Sequence, residues 1–505
     1  MTNPAAPTQN SELKTQNSRR TRIVCTMGPA CWQPETLRQM MLAGMDVARI
    51  NFSHAEYEST ARVITDLRTI STELGHNLAI LADLQGPRIR MGRVPEPGIT
   101  LTPAAEFTLY SDPTTVPTQS GAAVDYPALP EDVKAGDMIL IDDGLLQLRV
   151  LATVPGQVHT QVINGGLLGS HKGINVPGVT LSAPTITYKD KADLAFALDH
   201  EVDAIALSFV RSPDDVAELR RLIAAHGDAR PLVISKIEKH EATRRDNFAA
   251  ILAASDGIMV ARGDLGVEMP AEELPILQKW MIKLTRAAGK PVITATQMLD
   301  SMMRNPRPTR AEATDVANAI FDGTDATMLS GESAAGLYPV LAVQTMARIA
   351  ARAEQDYLTT PAAHTLATSD ERGIGNNQSI NQVISQAVSH TIVETAMQLQ
   401  AKAIVTLTRS GYTARQVAKY RPPIPVLAIT SMPETYHQLA FTWGVTPCRI
   451  PSFTTIDEML IAAERIAVDA GVAQAGDTIV ISAGLPLNTP GRTNMLKVQV
   501  VGERS

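Results

Sequence analysis

The chain has 505 residues, 44% hydrophobic and 19% charged, with a formal net charge of -7. That length exceeds one simple core and predicts two to four domains; the mild acidic balance argues against a nucleic-acid binder, which presents a basic surface. No apolar run reaches the ~18 residues of a membrane span, and three cysteines with no CxxC pair (Cys25, Cys31, Cys448) argue against a disulfide framework or zinc site and fit a reducing cytoplasm.

In chain order, residues 1–18 (MTNPAAPTQNSELKTQNS) are polar, lack an apolar stretch and read as a disordered tail, not a signal peptide. Eight short apolar runs follow, at 22–29, 47–54, 78–85, 204–211, 232–239, 257–264, 291–298 and 326–333. Most are followed by an amphipathic stretch of helical length, such as 212–227, where Ser212 and Pro213 form a cap and first-turn pair. Alternating buried strands and helices predict a parallel α/β architecture, and eight of them favour a closed (β/α)8 TIM barrel over an open sheet. The third and fourth runs are about 120 residues apart, far beyond an ordinary loop. The intervening sequence alternates apolar and polar residues between Gly and Pro breaks, and predicts a small all-β domain inserted at 87–183. The barrel then comprises 19–86 and 184–358, ending in a helix over 340–357. Beyond a polar segment, 360–380, a new α/β pattern marks a C-terminal domain within 359–505.

The strand ends carry the chemistry. In a (β/α)8 barrel they share one mouth, and residues two apart share a strand face. Arg49, Asn51 and Ser53 alternate on the second run, and Asp83 ends the third. Lys236 and Glu238 alternate on the fifth, Arg262, Gly263 and Asp264 end the sixth, Thr294 and Thr296 alternate on the seventh, and Ser330 and Glu332 close the eighth. Strand ends meet solvent, so any one of these is unremarkable alone; a set of opposed charges around one mouth is not. Glu238 and Asp264 are hard oxygen ligands suited to Mg²⁺, or Mn²⁺, with room for substrate oxygens. Arg49 and Lys236 suit a phosphoryl group in transfer. The stretch 261–266 reads as a strand passing through a tight turn into a short helix, whose free N–H groups would cradle a carboxylate. A small phosphorylated acid is the substrate class these features describe.

The stretches IVCTMGPA, GMDVARINFSH, DLQGPRIR, ISKIEKHEA, MVARGDLGVE, TATQMLDSM, KGINVPG and the long run from Pro306 to Pro339 resemble the pyruvate kinase family, in order and from about residue 20 onward. The resemblance implies phosphoryl transfer from phosphoenolpyruvate to ADP, giving pyruvate and ATP in the cytoplasm. It implies that Lys236 stabilises the phosphoryl group and the enolate, and that Glu238 and Asp264 hold the divalent metal. Arg49 would grip the phosphoryl group; Gly263, Asp264 and Thr296 would hold the carboxylate. Thr296, or a water relay reaching Ser330 and Glu332, would deliver the proton. Arg90, His54, Lys189 and Asn51 match nucleotide positions, and Asn51, Ser53 and Asp83 match a monovalent-cation pocket. The sequence departs from the commonest family pattern at Leu84-Gln85, where many members have Thr-Lys, and at Arg88, where many have Glu. In the family, members with that Glu typically need K⁺ and members with Lys there typically do not, so the resemblance implies that a fixed cation at Arg88 substitutes for K⁺; a salt bridge from Arg88 to the inserted domain, which the resemblance implies closes over the site as a lid, is the alternative. In the C-terminal domain, Thr408, Ser410 and Thr413, with Arg492 of the loop 486–494, match the family's effector pocket, implying a sugar phosphate or AMP. An ordinary strand–helix turn is what the isolated segment describes. The family is usually a homotetramer; neither nucleic acid nor membrane is an expected partner. Two other readings compete: a barrel lyase or carboxylase using phosphoenolpyruvate and Mg²⁺, and a catalytically silent metabolite sensor. His200, His226 and His240 read as surface residues, and Cys25 and Cys31 as buried thiols without function.

Overall fold

In the computed structural model, residues 19–360, 379–451, 455–486 and 491–503 are described. The expected disordered tail at 1–18, and most of the polar segment 360–380, lie outside them. Eight parallel strands, Arg22–Thr26, Val47–Asn51, Ala79–Asp83, Ala204–Leu207, Leu232–Ile237, Gly257–Ala261, Val292–Ala295 and Ala326–Leu329, close into a barrel. Each lies within one of the eight apolar runs. Their side chains alternate between two cores, as a two-residue period requires. Val24, Val47, Leu81, Ala206, Ile234, Met259, Ile293 and Met328 fill the barrel interior. Ile23, Ala48, Ile80, Ile205, Val233, Ile258 and Val292 face the helical ring. Burial on both faces is why the runs are continuously apolar.

The barrel floor is built four times over. An aspartate precedes each even-numbered strand: Asp46, Asp203, Asp256 and Asp325. Each carboxylate accepts a backbone N–H from the first or second residue of the neighbouring odd-numbered strand, from Ile23 at 2.8 Å, Ile80 at 2.7 Å, Val233 at 2.9 Å and Val292 at 3.0 Å. Each also pairs with an arginine: Arg19 and Arg22, Arg68, Arg220, and Arg421 respectively. These four N–H groups near the strand starts are thereby satisfied, as buried backbone donors must be.

Between the third and fourth barrel strands lies a seven-stranded sheet, with all but one pair antiparallel, and a two-stranded ribbon. It has its own core, including Phe107, Leu109, Ile139, Leu148 and Val158. Its hairpin between Leu146–Val154 and Gln157–Asn164 turns on Pro155-Gly156, with Gly156 at φ 80°, a conformation only glycine adopts cheaply.

Helix Pro339–Tyr357 completes the helical ring against Pro34–Ala43. The C-terminal domain opens with helix Ile380–Gln398 and has five strands, ordered Val445–Arg449, Val426–Thr430, Ala403–Leu407, Thr478–Ala483 and Met495–Val500, the last antiparallel. The two outer strands were not expected from the sequence. Edge strands are half solvated, so VTPCR and MLKVQV lack a continuous apolar run. This domain plugs the barrel floor: fully buried Phe441 joins the barrel-interior core, and Arg421, 1% exposed, reaches Asp325 at 2.9 Å.

Candidate active site

Asp83 organises the mouth. It ends the third strand, buried, and accepts Arg49 Nε at 2.6 Å and Lys236 Nζ at 3.3 Å. Lys236 Nζ also meets Glu238 Oε1 at 2.8 Å and donates to Ser208 Oγ at 2.7 Å. Arg49 Nη1 donates to Thr26 Oγ1 at 2.8 Å. Burial alone would lower the Lys236 pKa, but Asp83 and Glu238 outweigh it and raise it. Burial pushes Asp83 upward, yet Lys236 and Arg49 hold it below the ordinary carboxylate value. Glu238 is raised, chiefly by burial, with the charge of Asp264 adding to it against Lys236. Lys236 is thus a buried ammonium between two carboxylates.

Glu238 Oε2 accepts the N–H of Phe209 at 2.7 Å. Phe209 has φ 54°, a strained left-handed conformation for an aromatic residue, which aims that N–H at the carboxylate. The sixth strand passes straight into helix Arg262–Glu268, without the expected intervening turn. The Arg262 side chain donates to Asp315, to the Thr296 carbonyl at 2.7 Å and to the Ala295 carbonyl at 3.2 Å, which fastens that junction to the seventh strand. Gly263 N–H donates to Thr296 Oγ1 at 2.8 Å, and that hydroxyl donates to the Ala295 carbonyl at 2.7 Å. Thr296 itself, at φ 66°, is a second strained residue, β-branched in the left-handed region. Past the end of the eighth strand, Glu332, in the short helix Gly331–Ala334, accepts the N–H groups of Ser330 at 2.7 Å and Leu299 at 3.0 Å, while Ser330 Oγ is buried without a partner. Burial raises Glu332 above its ordinary value.

Glu238 and Asp264 are close enough for each charge to oppose the other, and among the described residues no group of three or more His, Cys, Asp or Glu side chains could hold a metal. Two repelling carboxylates fit a hard divalent ion that completes its shell with substrate oxygens and water.

Two models of the pyruvate kinase family match this chain: "Pyruvate kinase, barrel domain" over residues 18–343 and "Pyruvate kinase, alpha/beta domain" over 386–499. The chain belongs to the pyruvate kinase family. The pyruvate kinase of Geobacillus stearothermophilus is 48% identical over 96% of this chain and 81% of its own length; that of Clostridium acetobutylicum is 45% identical over 95% and 99%. The crystal structure of a pyruvate kinase from Cryptosporidium parvum superposes with a TM-score of 0.87 at 35% identity, covering 97% of both chains. As a family member the chain is a phosphotransferase.

Of the nucleotide positions expected from pyruvate kinases, Lys189 donates to the Phe52 carbonyl at 2.7 Å and pairs with Asp193 at 2.5 Å, bringing its helix to the loop of exposed His54. Tyr57 joins them, its hydroxyl on Asp193 at 2.9 Å and its ring stacked on Phe196. Arg90 lies on an edge strand of the inserted domain's sheet, with Nη1 3.5 Å from the His171 carbonyl of the same domain. Of the cation-pocket positions, Asn51 Oδ1 accepts Ser53 N–H at 3.2 Å, Asp83 serves Arg49 and Lys236, and Leu84 is buried with its carbonyl accepting Ser208 Oγ at 2.6 Å. Arg88 reaches Asp264 Oδ1 at 3.5 Å.

In the C-terminal domain, Thr413 is buried, its hydroxyl bonded to the Arg492 carbonyl at 3.3 Å and to Thr493 at 3.1 Å. The Ser410 carbonyl accepts Arg415 Nη2 at 3.0 Å, and Thr408 N–H donates to Ile429. Residues 487–490 of the loop expected to hold an effector lie outside the described residues. Of the three histidines read as surface residues, His226 pairs with Asp199, His240 is exposed and half-buried His200 stacks on Phe196. Burial raises the Cys25 and Cys31 thiols, Cys31 to about 11. Among the described residues no helix is long and apolar enough to cross a membrane.

Sequence reading missed Ser208 and the Phe209 N–H. Ser208 was findable, since it lies within the fourth apolar run directly after the strand Ala204–Leu207, much as Glu238 follows Ile237 and Thr296 follows Ala295. An aromatic residue held at positive φ leaves no sequence signal.

Proposed function

We propose that this chain transfers the phosphoryl group of phosphoenolpyruvate to ADP, giving pyruvate and ATP, with Glu238 and Asp264 holding Mg²⁺ or Mn²⁺. The observation that carries this is the buried Lys236 ammonium between Asp83 and Glu238, beside Arg49 at the barrel mouth. Asp83 keeps both cations charged and aimed, so they meet the phosphoryl group without reorganising, which is where preorganised electrostatics accelerate transfer. The divalent ion, when bound, supplies charge neutralisation to the phosphoryl and enolate oxygens. Arg49 grips the phosphoryl group, and Lys236 stabilises it in transfer and then the enolate left behind. Thr296, by turning its hydroxyl proton from Ala295 to the substrate, holds the carboxylate together with the Gly263 and Asp264 N–H groups. Thr296, or a relay through Ser330 and Glu332, protonates the enolate; the unpartnered Ser330 hydroxyl supports the relay. Arg90, His54, Lys189 and Asn51 serve the nucleotide. The inserted domain closes as a lid and excludes water.

Arg88 stands in for the monovalent cation, so K⁺ is not required. Its approach to Asp264 supports this, as do the internal bonds that engage Asn51, Ser53 and Asp83. A sugar phosphate or AMP binds near Thr408, Ser410, Thr413 and Arg492, and the working form is a cytoplasmic homotetramer whose interfaces couple the sites. The test is initial-rate pyruvate release from phosphoenolpyruvate with ADP and Mg²⁺, at ionic strength matched by KCl or tetramethylammonium chloride. Equal rates in both, dependent on ADP and lowered roughly 100- to 1,000-fold by Lys236→Met, support the reading. ADP-independent release would favour a lyase, and no release a silent sensor.

A further inference from the structure

Two residues of the site region have no role in the reaction proposed above. Lys239 directly follows Glu238, and Glu268 lies one helical turn beyond Asp264 on helix Arg262–Glu268. Their side chains meet, Lys239 Nζ to Glu268 Oε1 at 2.6 Å, 12% and 3% exposed. The side chain of Asn175, from the last strand of the inserted domain, lies beside the Glu268 carboxylate and favours its charged form. The Lys239 ammonium stands 5.9 Å from the ring centroid of Phe209, the residue whose N–H holds Glu238. A buried ion pair therefore ties the segment carrying one carboxylate to the helix carrying the other. Glu238 and Asp264 themselves repel, and among the described residues no other ion pair joins the segment 236–239 to the helix Arg262–Glu268.

We propose that Lys239 and Glu268 are positioning residues for the divalent-cation site: their ion pair sets the separation of Glu238 and Asp264. The inference rests on the reading that those two carboxylates hold the cation. Partners that orient metal-ligating carboxylates commonly matter ten- to a hundredfold for affinity. Neither residue touches the reacting atoms; both act through their neighbours. Asn175 makes the clamp complete only when the inserted domain sits against the barrel as it does here.

The experiment is Mn²⁺ binding to the full chain, read by the electron paramagnetic resonance signal of free Mn²⁺ with no phosphoenolpyruvate or ADP present. Lys239→Met is expected to raise the Mn²⁺ dissociation constant about 10- to 100-fold, and Lys239→Arg to retain most of the affinity. Lys239→Met leaves Glu268 buried without its cation and is open to misfolding, so the deciding variant is Lys239→Met with Glu268→Leu. Replacing both members of a buried pair with apolar groups is often neutral for stability, so this double variant should melt like wild type and still bind Mn²⁺ weakly. A folded double variant that binds Mn²⁺ as wild type does overturns the clamp. Asp264→Asn separates the two readings. If it loses Mn²⁺ while the double variant does not, only the clamp fails; if it binds unchanged, the cation-site reading and the clamp fall together.

Discussion

On the proposal that Arg88 stands in for K⁺, replacing it with glutamate should make this enzyme depend on K⁺. Arg88 Nη2 lies 3.5 Å from Asp264 Oδ1, with the side chains 36% and 24% exposed, so water screens the pair. In a water-like dielectric unit charges at that separation attract by about 1 kcal/mol. A glutamate would repel Asp264 by a similar amount, a swing of about 2 kcal/mol, or roughly 30-fold in rate. A bound K⁺ would offset the added negative charge and recover most of that loss. The assay is kcat/KM for phosphoenolpyruvate in KCl and in tetramethylammonium chloride at equal ionic strength. Wild type should give equal values; Arg88→Glu should fall about 30-fold without K⁺ and recover with it. If wild type needs K⁺, or if the variant responds to K⁺ as wild type does, Arg88 is not the built-in cation and its contact with Asp264 is structural.

Three further outcomes follow from the same structure. Ser330→Ala should lower kcat about 100-fold, leave KM for phosphoenolpyruvate nearly unchanged and slow solvent exchange of the pyruvate methyl protons; an unaltered exchange rate would remove Ser330 from proton delivery. Arg421→Met should destabilise the chain by about 3 kcal/mol, because it strips the cation from buried Asp325; calorimetry showing no loss would mean that the Val292 and Trp443 N–H groups suffice for that carboxylate. Asp46→Asn should show a pH signature. Burial would raise Asp46, but Arg19 and Arg22 win and hold it below its ordinary value. A carboxylate with a depressed folded pKa contributes stability above its unfolded value of about 3.9, and loses it as pH falls through the folded pKa. The melting temperatures of wild type and Asp46→Asn should therefore differ at pH 7 and converge below about pH 4; a gap that is constant down to pH 3 would contradict the assignment.

Much of the fold was legible because its information is local. A strand buried on both faces must be a short continuous apolar run, and the eight runs became the eight barrel strands. The same rule explains the omission of Val445–Arg449 and Met495–Val500, which lie at sheet edges where one-sided solvation erases the run. The chemistry of the site was legible in kind, because carboxylates and cations at strand ends share one mouth in any closed barrel of this type. Their pairing was not. Asp83 read as a cation-pocket position, yet it anchors Arg49 and Lys236; Ser208 and the strained Phe209 N–H were absent from the reading. The sequence alone determined which side chains arrive at the mouth, since strand period and residue chemistry are properties of neighbours along the chain. Only the tertiary structure decided which of them touch, since ion pairs such as Lys236–Asp83 and Lys239–Glu268 depend on distances of a few ångströms between segments far apart in sequence, set by barrel closure and burial.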